Sequence, residues 1–265
     1  MSQQIAIIGG GNLGTAIAEG LLKSNFAQPS DITITKRNTS TLNALKEKGI
    51  VVTDNNKWAV QNASIIIIAV KPFQIKEVLQ GISNELDTSK HILVSVVTGI
   101  FIKEINETLG KDLPLFRAMP NTAIAIQESM TCLSAFNATK DQVVYIEKLF
   151  ATLGRVVTID EKLMDAATVL GACGTAYAMR YIRANIQGGI EIGFDSSTAT
   201  LIAAQTVKGA ADLLLQKGTH PEQEIDKVTT PKGCTIAGLN EMEHQGFSSS
   251  LIKGIAVSYN KIIKG

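Results

Sequence analysis

The chain has 265 residues, of which 45% are hydrophobic and 18% are charged, a balance typical of packed globular proteins that excludes a disordered chain. This length accommodates one α/β domain and a smaller helical domain. The formal net charge of +1 gives no general attraction to nucleic acid or to an anionic membrane, so we expect neither as a partner.

The apolar stretches are too short to span a bilayer, and the N-terminus lacks the basic region and apolar core of a secretory signal. The cysteines, at positions 132, 173 and 234, form no C-x-x-C pair, which favours a reducing cytoplasm over a disulfide framework or a zinc site. The histidines are isolated from one another and from the cysteines. We therefore expect a soluble cytoplasmic protein without a metal.

The first half of the chain alternates short β-branched runs with helical patterns, which predicts βαβ units and a parallel sheet. The predicted strands are Gln4–Ile8, Asp31–Thr35, Ser64–Val70, His91–Val96, Leu115–Met119, Met130–Ser134 and, at the sheet edge, Arg155–Thr158. The predicted helices between them are Asn12–Ser24, Thr39–Lys48, Phe73–Leu86 and Ile100–Leu109.

The second half of the chain changes character near Asp160 and predicts only helices. Their ranges are Leu163–Ile192, Ser197–Lys217, Glu222–Lys227, Thr235–Gln245 and Ser248–Lys261. The first is apolar on more than one face, and a domain this small offers little to bury it, so we expect a homodimer or higher homo-oligomer. The predicted fold is α/β, with a Rossmann-type dinucleotide-binding domain over residues 1–160 and an all-helical dimerisation domain over residues 161–265.

The first strand runs directly into a glycine-rich turn, G-x-G-x-x-G over residues 9–14, that opens a helix. Gly9 allows the tight turn, Gly11 lets the backbone approach a pyrophosphate, and Gly14 allows close packing of the helix on the strand. The N-terminus of the helix then offers free N–H groups and the positive end of its dipole to the anion. This strand–turn–helix context predicts that a dinucleotide binds here.

The end of the second strand indicates which dinucleotide binds. Proteins that bind NAD usually carry an acidic residue there for the ribose hydroxyl. This chain has no carboxylate in that place and carries Thr35, Lys36, Arg37 and Asn38 instead. These residues suit a 2′-phosphate, with Arg37 as its fork-shaped partner, so we expect NADPH as cofactor and weaker use of NADH. The alternative is that Lys36 and Arg37 belong to a solvated loop.

Three further segments become informative in combination. They are A-V-K-P at 69–72, R-A-M-P-N-T at 117–122, and V-T-T-P-K-G-C-T-I-A-G-L at 228–239. With these segments the chain resembles the pyrroline-5-carboxylate reductases over essentially its whole length. The resemblance implies NADPH-dependent reduction of 1-pyrroline-5-carboxylate to L-proline, the last step of proline biosynthesis.

The resemblance also implies where the cofactor lies: along the glycine-rich turn, the end of the second strand and the A-V-K-P segment. An asparagine that follows the family's third strand is best matched by Asn56. Together with the motif glycine at position 14, the expected cofactor residues are Ile8, Gly9, Gly10, Gly11, Asn12, Leu13, Gly14, Thr35, Arg37, Asn56, Ala69, Val70, Lys71 and Pro72.

The substrate residues implied by the resemblance are Met119, Asn121 and the loop 233–235. Backbone N–H groups of Gly233, Cys234 and Thr235 are expected to hold the substrate carboxylate at the start of a helix. Thr235 is expected to orient the ring nitrogen as the catalytic residue, although a plain helix N-cap would look the same in sequence. A protonated cyclic imine is already a strong electrophile, so hydride transfer needs mainly alignment and exclusion of water.

The chain departs from the family pattern at Cys173, Thr175, Arg183 and Lys232. These departures leave two alternatives open: a reductase of a related cyclic imino acid, such as a piperideine carboxylate, and a non-catalytic NADPH-binding regulatory protein. The β-hydroxyacid dehydrogenase group shares the two-domain plan but uses a lysine where this chain has Arg180. Because arginine stays protonated, it cannot easily exchange a proton with an alcohol, and that reading is disfavoured.

Overall fold

The structure, a computed structural model, describes residues 3–264. The chain divides into two compact units, the first ending at Ala172 and the second beginning at Cys173. Within the described residues, no helix is both long enough and apolar enough to cross a membrane. The same residues contain no cluster of three or more histidine, cysteine or carboxylate side chains that could hold a metal ion.

The first unit is built on one 8-stranded sheet with the strand order β3-β2-β1-β4-β5-β6-β7-β8. Strands β1 to β6 are parallel to one another, β7 is antiparallel to β6, and β8 is parallel to β7. The strands are β1 (Ile5–Ile8), β2 (Ile32–Thr35), β3 (Val51–Thr53), β4 (Ile65–Ile68), β5 (Ile92–Ser95), β6 (Leu115–Met119), β7 (Ser129–Phe136) and β8 (Gly154–Thr158).

Helices cover both faces of this sheet. They are α1 (Asn12–Lys23), α2 (Asn43–Glu47), α3 (Asn56–Gln61), α4 (Ile75–Ile82), α5 (Ile102–Leu109), α6 (Lys140–Ala151) and α7 (Met164–Ala167). Along β1, Ile5 and Ile7 join the core beneath α1, α2 and α6, whereas Ala6 and Ile8 join the core beneath α3, α4 and α5. Because the centre of the sheet is buried on both faces, strands β1 and β4 are continuous apolar runs, and β4 consists of four isoleucines.

The predicted Rossmann-type fold is confirmed, with three elements absent from the prediction: β3, α3 and α6. Strand β3 has three residues and is only half-buried at the edge of the sheet, so it carries little periodic signal. Helix α6 does carry a start signal, because Thr139 and Gln142 form a capping box. The predicted long helix over 163–192 is not one regular helix, since a π-helical segment, Thr168–Cys173, separates α7 from the next helix.

The second unit contains five helices along its described residues: α8 (Gly174–Glu191), α9 (Ser196–Lys217), α10 (Pro221–Lys227), α11 (Cys234–His244) and α12 (Phe247–Ile263). The Tyr177 hydroxyl on α8 lies 2.6 Å from the Ser258 hydroxyl on α12. The buried hydrophobic cluster contains only Ile186, Ala199 and Ala203 among the described residues. Large apolar side chains of α8, α9 and α12 are exposed, including Met179, Leu201, Ile252 and Val257. A single copy therefore leaves most of the apolar surface of these helices uncovered.

One histidine of the first unit is part of the core. His91 precedes β5 and is 2% exposed. Its Nδ1 accepts a hydrogen bond from the Asp87 backbone N–H at 2.8 Å, so the ring is neutral and its Nε2 faces the Val60 carbonyl oxygen at 3.2 Å. Burial lowers the pKa of His91 from its ordinary value of 6.5.

This burial predicts a pH-dependent stability of the first unit. As the pH falls through 6.5 the unfolded chain takes up a proton at His91, whereas burial shifts this uptake in the folded chain to lower pH. The free energy of unfolding should therefore fall as the pH drops from 7 to 5, by at most about 1.4 kcal/mol per pH unit. Urea unfolding should show a flatter pH dependence for His91→Asn, whereas the exposed control His244→Asn keeps the original slope. Equal slopes for His91→Asn and the parent chain would contradict the assignment.

Candidate active site

A cavity of about 1450 Å³ opens in the first unit at the carboxyl ends of the parallel strands. Strand β1 lies between β2 and β4, and the chain progresses outward in opposite directions from this point, which creates a crevice at the strand ends. The cavity is lined by residues from the turn after β1 and from the ends of β2, β3, β4 and β6. Such a crevice is the ligand site of open α/β sheets.

The glycine-rich turn has the geometry that its spacing predicted. Gly9 has a φ of +117°, and a Cβ atom there would lie 2.5 Å from the Ala69 carbonyl oxygen. A Cβ atom on Gly14 would overlap the Gly9 carbonyl oxygen, so α1 packs directly on the turn. Gly11, by contrast, faces open space, with nothing within 4 Å of an added Cβ atom. It is the N-cap of α1, so the open space lies beside free backbone N–H groups.

Thr35 fixes this turn from the neighbouring strand. Its hydroxyl oxygen accepts a hydrogen bond from the Gly9 N–H at 3.3 Å, and its carbonyl oxygen accepts one from the Gly10 N–H at 2.6 Å. The residue is 2% exposed. Thr35 lines the cavity, and both of its oxygens accept hydrogen bonds from the glycine-rich turn. Its role is therefore to hold the turn in place.

The ends of β2 and β3 meet at one corner of the cavity. Lys36, Arg37 and Asn38 follow β2, while Asp54 and Asn56 follow β3. Arg37 is exposed, and no carboxylate among the described residues forms an ion pair with it or with Lys36. Asn56 is the first residue of α3, and the N-cap is Asn55, whose side chain accepts a hydrogen bond from the Trp58 N–H. The cations at this corner and the open space at Gly11 fit a nucleotide with a phosphate at each place.

Asn121 connects the end of β6 to the rest of the first unit. Its amide nitrogen donates to the Gly171 carbonyl oxygen at 3.2 Å, and its amide oxygen accepts from the Ala123 N–H at 3.0 Å. Met119, two residues earlier, is buried and also lines the cavity. The polar groups of the Asn121 side chain are thus engaged in shaping the cavity wall.

Arg117 supports the same wall from inside the fold. Its side chain is fully buried and forms ion pairs with Glu161 at 3.4 Å and Asp165 at 3.2 Å. Its guanidinium lies 4.7 Å from the centre of the Phe101 ring. No local sequence pattern indicated a role for Arg117, whose ion pairs tie β6 to Glu161 just before α7 and to Asp165 within α7.

The predicted carboxylate-binding residues, 233–235, lie in the second unit. Gly233 is the N-cap of α11, so the N-cap alternative for Thr235 is wrong: Thr235 is the second residue of the helix and is half-buried. The Gly233 N–H donates to the Thr230 carbonyl oxygen at 2.9 Å, which closes a β-turn. Lys232, where the family has glycine, has a φ of +61°. Because Pro231 before it has a fixed negative φ, this is a type II turn with lysine at the position that favours glycine.

The predicted site residues therefore fall into two groups. All the expected cofactor residues except Gly14 line the cavity of the first unit, as do Met119 and Asn121. Gly14 lies behind the turn, and residues 233–235 lie together on the loop of the second unit. The cavity also contains residues that the sequence analysis missed, notably Asp54 and Lys57. Recognition of β3 would have revealed them, because residues after a parallel strand face the crevice.

Two glycines of the turn should respond differently to substitution. Gly9→Ala should lower the free energy of unfolding by at least ~1 kcal/mol, because the methyl group meets the Ala69 carbonyl and the φ is positive. Gly11→Ser should change it by less than ~0.5 kcal/mol, since serine is a good N-cap and the space is open. Calorimetric titration should nevertheless show at least ~10-fold weaker NADPH binding for Gly11→Ser, because its side chain occupies the phosphate position. Unchanged NADPH binding would contradict this placement.

Lys232 offers a second test of the local geometry. The left-handed conformation raises the free energy of the folded state by about 1–2 kcal/mol for a residue other than glycine. This cost exceeds the extra conformational entropy that glycine loses on folding. Lys232→Gly should therefore stabilise the protein by about 0.5 kcal/mol, whereas Lys232→Val should destabilise it because a β-branched residue tolerates this φ poorly. Urea unfolding at one fixed protein concentration measures both variants. Equal midpoints for the two would contradict the turn assignment.

Comparison with protein families agrees with the two-part organisation. Residues 4–99 match the family model "NADP oxidoreductase coenzyme F420-dependent", and residues 161–264 match "Pyrroline-5-carboxylate reductase dimerisation". The chain is similar to a solved pyrroline-5-carboxylate reductase from Coxiella burnetii, with a TM-score of 0.90, 29% identity and coverage of 100% of this chain and 98% of that chain. A Plasmodium falciparum pyrroline carboxylate reductase solved with NADP bound has a TM-score of 0.89 at 24% identity, covering 98% and 97%.

Curated relatives carry the sequence similarity over nearly the whole chain. Pyrroline-5-carboxylate reductase 1 of Dictyostelium discoideum is 49% identical over 269 residues, which cover 97% of this chain and 49% of the relative, so the chain spans about half the length of that protein. Pyrroline-5-carboxylate reductase 2 of the same organism is 44% identical over 279 residues, covering 99% of this chain and 93% of the relative. These similarities confirm the resemblance drawn from the motifs: the chain belongs to the pyrroline-5-carboxylate reductase family.

Proposed function

We propose that the protein reduces 1-pyrroline-5-carboxylate to L-proline with NADPH, the last step of proline biosynthesis. The observation that carries the proposal is the 44% identity, over 99% of this chain, to a relative named pyrroline-5-carboxylate reductase. The crevice at the strand ends, with its glycine-rich turn and nearby cations, supports binding of the dinucleotide. Bound NADPH supplies the hydride that reduces the C=N bond.

In the proposed complex the residues of the first unit bind and orient the cofactor. The N–H groups at the start of α1 hold the pyrophosphate beside Gly11, and Arg37 pairs with the 2′-phosphate. The segment 69–72 contacts the nicotinamide half. Two comparisons support this choice of cofactor: the similar Plasmodium falciparum structure has NADP bound, and residues 4–99 match an NADP oxidoreductase family model. NADH is expected to serve less well.

The loop of the second unit binds the substrate in this proposal. Backbone N–H groups of Gly233, Cys234 and Thr235 at the start of α11 hold the carboxylate, and the Thr235 hydroxyl interacts with the ring nitrogen. The imine enters protonated at nitrogen, so hydride addition to the imine carbon yields the neutral secondary amine of the ring. No strong acid is needed from the chain, because the electrophile is already activated and alignment controls the rate.

Self-association completes the proposal. The match to a pyrroline-5-carboxylate reductase dimerisation model and the exposed apolar side chains of α8, α9 and α12 support a homodimer or higher homo-oligomer through this half. We assign cofactor binding to residues 1–160, and substrate binding with dimerisation to residues 161–265. The cytoplasmic location stays a prediction.

The test is the loss of NADPH absorbance on addition of 1-pyrroline-5-carboxylate. Thr235→Ala should lower kcat at least ~10-fold, the magnitude of one hydrogen bond to a charged group, and leave NADPH binding unchanged. Thr235→Ser should retain most of the activity, because it keeps the hydroxyl. Thr108→Ala, a change at a half-buried residue of α5 that does not line the cavity, is the matched control.

Parallel assays separate the alternatives. Faster reduction of a piperideine carboxylate would support the same hydride-transfer mechanism and identify the six-membered imine as the preferred substrate. Tight NADPH binding with no turnover of either imine would refute the reductase and leave a regulatory NADPH-binding protein.

A further inference from the structure

A carboxylate lies at the corner of the cavity where the sequence indicated only cations. Strands β2 and β3 are paired with Thr35 opposite Thr53, and the Lys36 N–H donates to the Thr53 carbonyl oxygen at 3.1 Å. The residues that follow the two strands therefore lie side by side. Asp54 enters the cavity directly after β3, next to Lys36 and Arg37 after β2.

Lys57 adds a further cation to this corner. It lies in the first turn of α3, three residues after Asp54, and also lines the cavity. Both side chains are exposed, and among the described residues neither takes part in an ion pair or a side-chain hydrogen bond. Both are therefore available to a ligand.

The charges at this corner bear on the choice between the two nucleotides. Lys36, Arg37 and Lys57 carry three positive charges and Asp54 one negative charge, which leaves a surplus that suits a phosphate monoester of about −1.5 to −2 near pH 7. A carboxylate is the group that binds the ribose hydroxyl of NAD, and it repels a 2′-phosphate. The corner thus contains opposing determinants for the two cofactors.

We infer that Asp54 and Lys57 together determine nucleotide specificity: Lys57 binds the 2′-phosphate, whereas Asp54 weakens that binding and accepts the ribose hydroxyl of NADH. The inference rests on the proposed function for the identity of the cofactor. It assigns to the end of β3 the acidic residue that other dinucleotide-binding folds carry at the end of β2. The protein is therefore an NADPH enzyme with a built-in capacity for NADH.

The experiment measures equilibrium binding of adenosine 2′,5′-bisphosphate and of AMP to the full chain by calorimetry. Asp54→Asn should bind the bisphosphate about 3-fold more tightly and AMP about 3-fold more weakly, the magnitude of a single exposed charge interaction. Lys57→Gln should bind the bisphosphate about 10-fold more weakly and leave AMP unchanged, because only the bisphosphate has the 2′ group. Asp54→Asn should correspondingly lower the KM for NADPH and raise the KM for NADH. Lys57→Gln should raise the KM for NADPH and leave the KM for NADH unchanged.

Two control variants make the same charge changes away from the cavity. Glu47→Gln on α2 and Lys48→Gln beside it alter the net charge as Asp54→Asn and Lys57→Gln do, and neither residue lines the cavity. Shifts confined to Asp54→Asn and Lys57→Gln support the inference, and shifts equal to those of the controls overturn it. Because nucleotide binding is measured without the imine, its result does not depend on whether the protein reduces 1-pyrroline-5-carboxylate. A failure of the reductase assay and a failure of this inference can therefore be told apart.

Discussion

The backbone contact between the glycine-rich turn and its two neighbouring strands is the constraint on which the cofactor site depends. The turn is bonded to β2 through Thr35 and packs against the carbonyl of Ala69 beyond β4, with no room for a side chain at Gly9. Gly14 then allows α1 to start in contact with the turn. These contacts direct the N-terminus of α1 into the crevice and leave Gly11 as the point where a phosphate can approach.

The two units differ in how fully they bury their apolar side chains. The sheet of the first unit is covered on both faces by separate cores, and even its buried arginine is neutralised by two carboxylates. The described helices of the second unit share one small cluster and expose large apolar side chains along α8, α9 and α12. A helical unit of this kind reaches a stable state by burying those faces against another copy, which agrees with its match to a dimerisation family.

Sequence reasoning predicted the parts of the molecule that have strong local signals. The turn at 9–14, the strand before it and the family segments were recognisable because each needs particular residues at fixed spacing. Strand β3 was missed because three half-buried residues carry no clear period, and with it Asp54 and Lys57 were missed. The role of Arg117 depends on carboxylates more than forty residues away in sequence, and the positive φ of Lys232 follows from a turn that glycine normally occupies. Such features arise from tertiary pairing, which no local pattern encodes.

The proposed activity is the transfer of a hydride from NADPH to the imine carbon of a cyclic imino acid. The most direct measurement uses NADPH carrying deuterium at both positions of nicotinamide C4, with 1-pyrroline-5-carboxylate as substrate and mass spectrometry and NMR of the product. We expect proline with one deuterium on the ring carbon that was part of the C=N bond. Proline without deuterium, or deuterium at any other carbon, would contradict it.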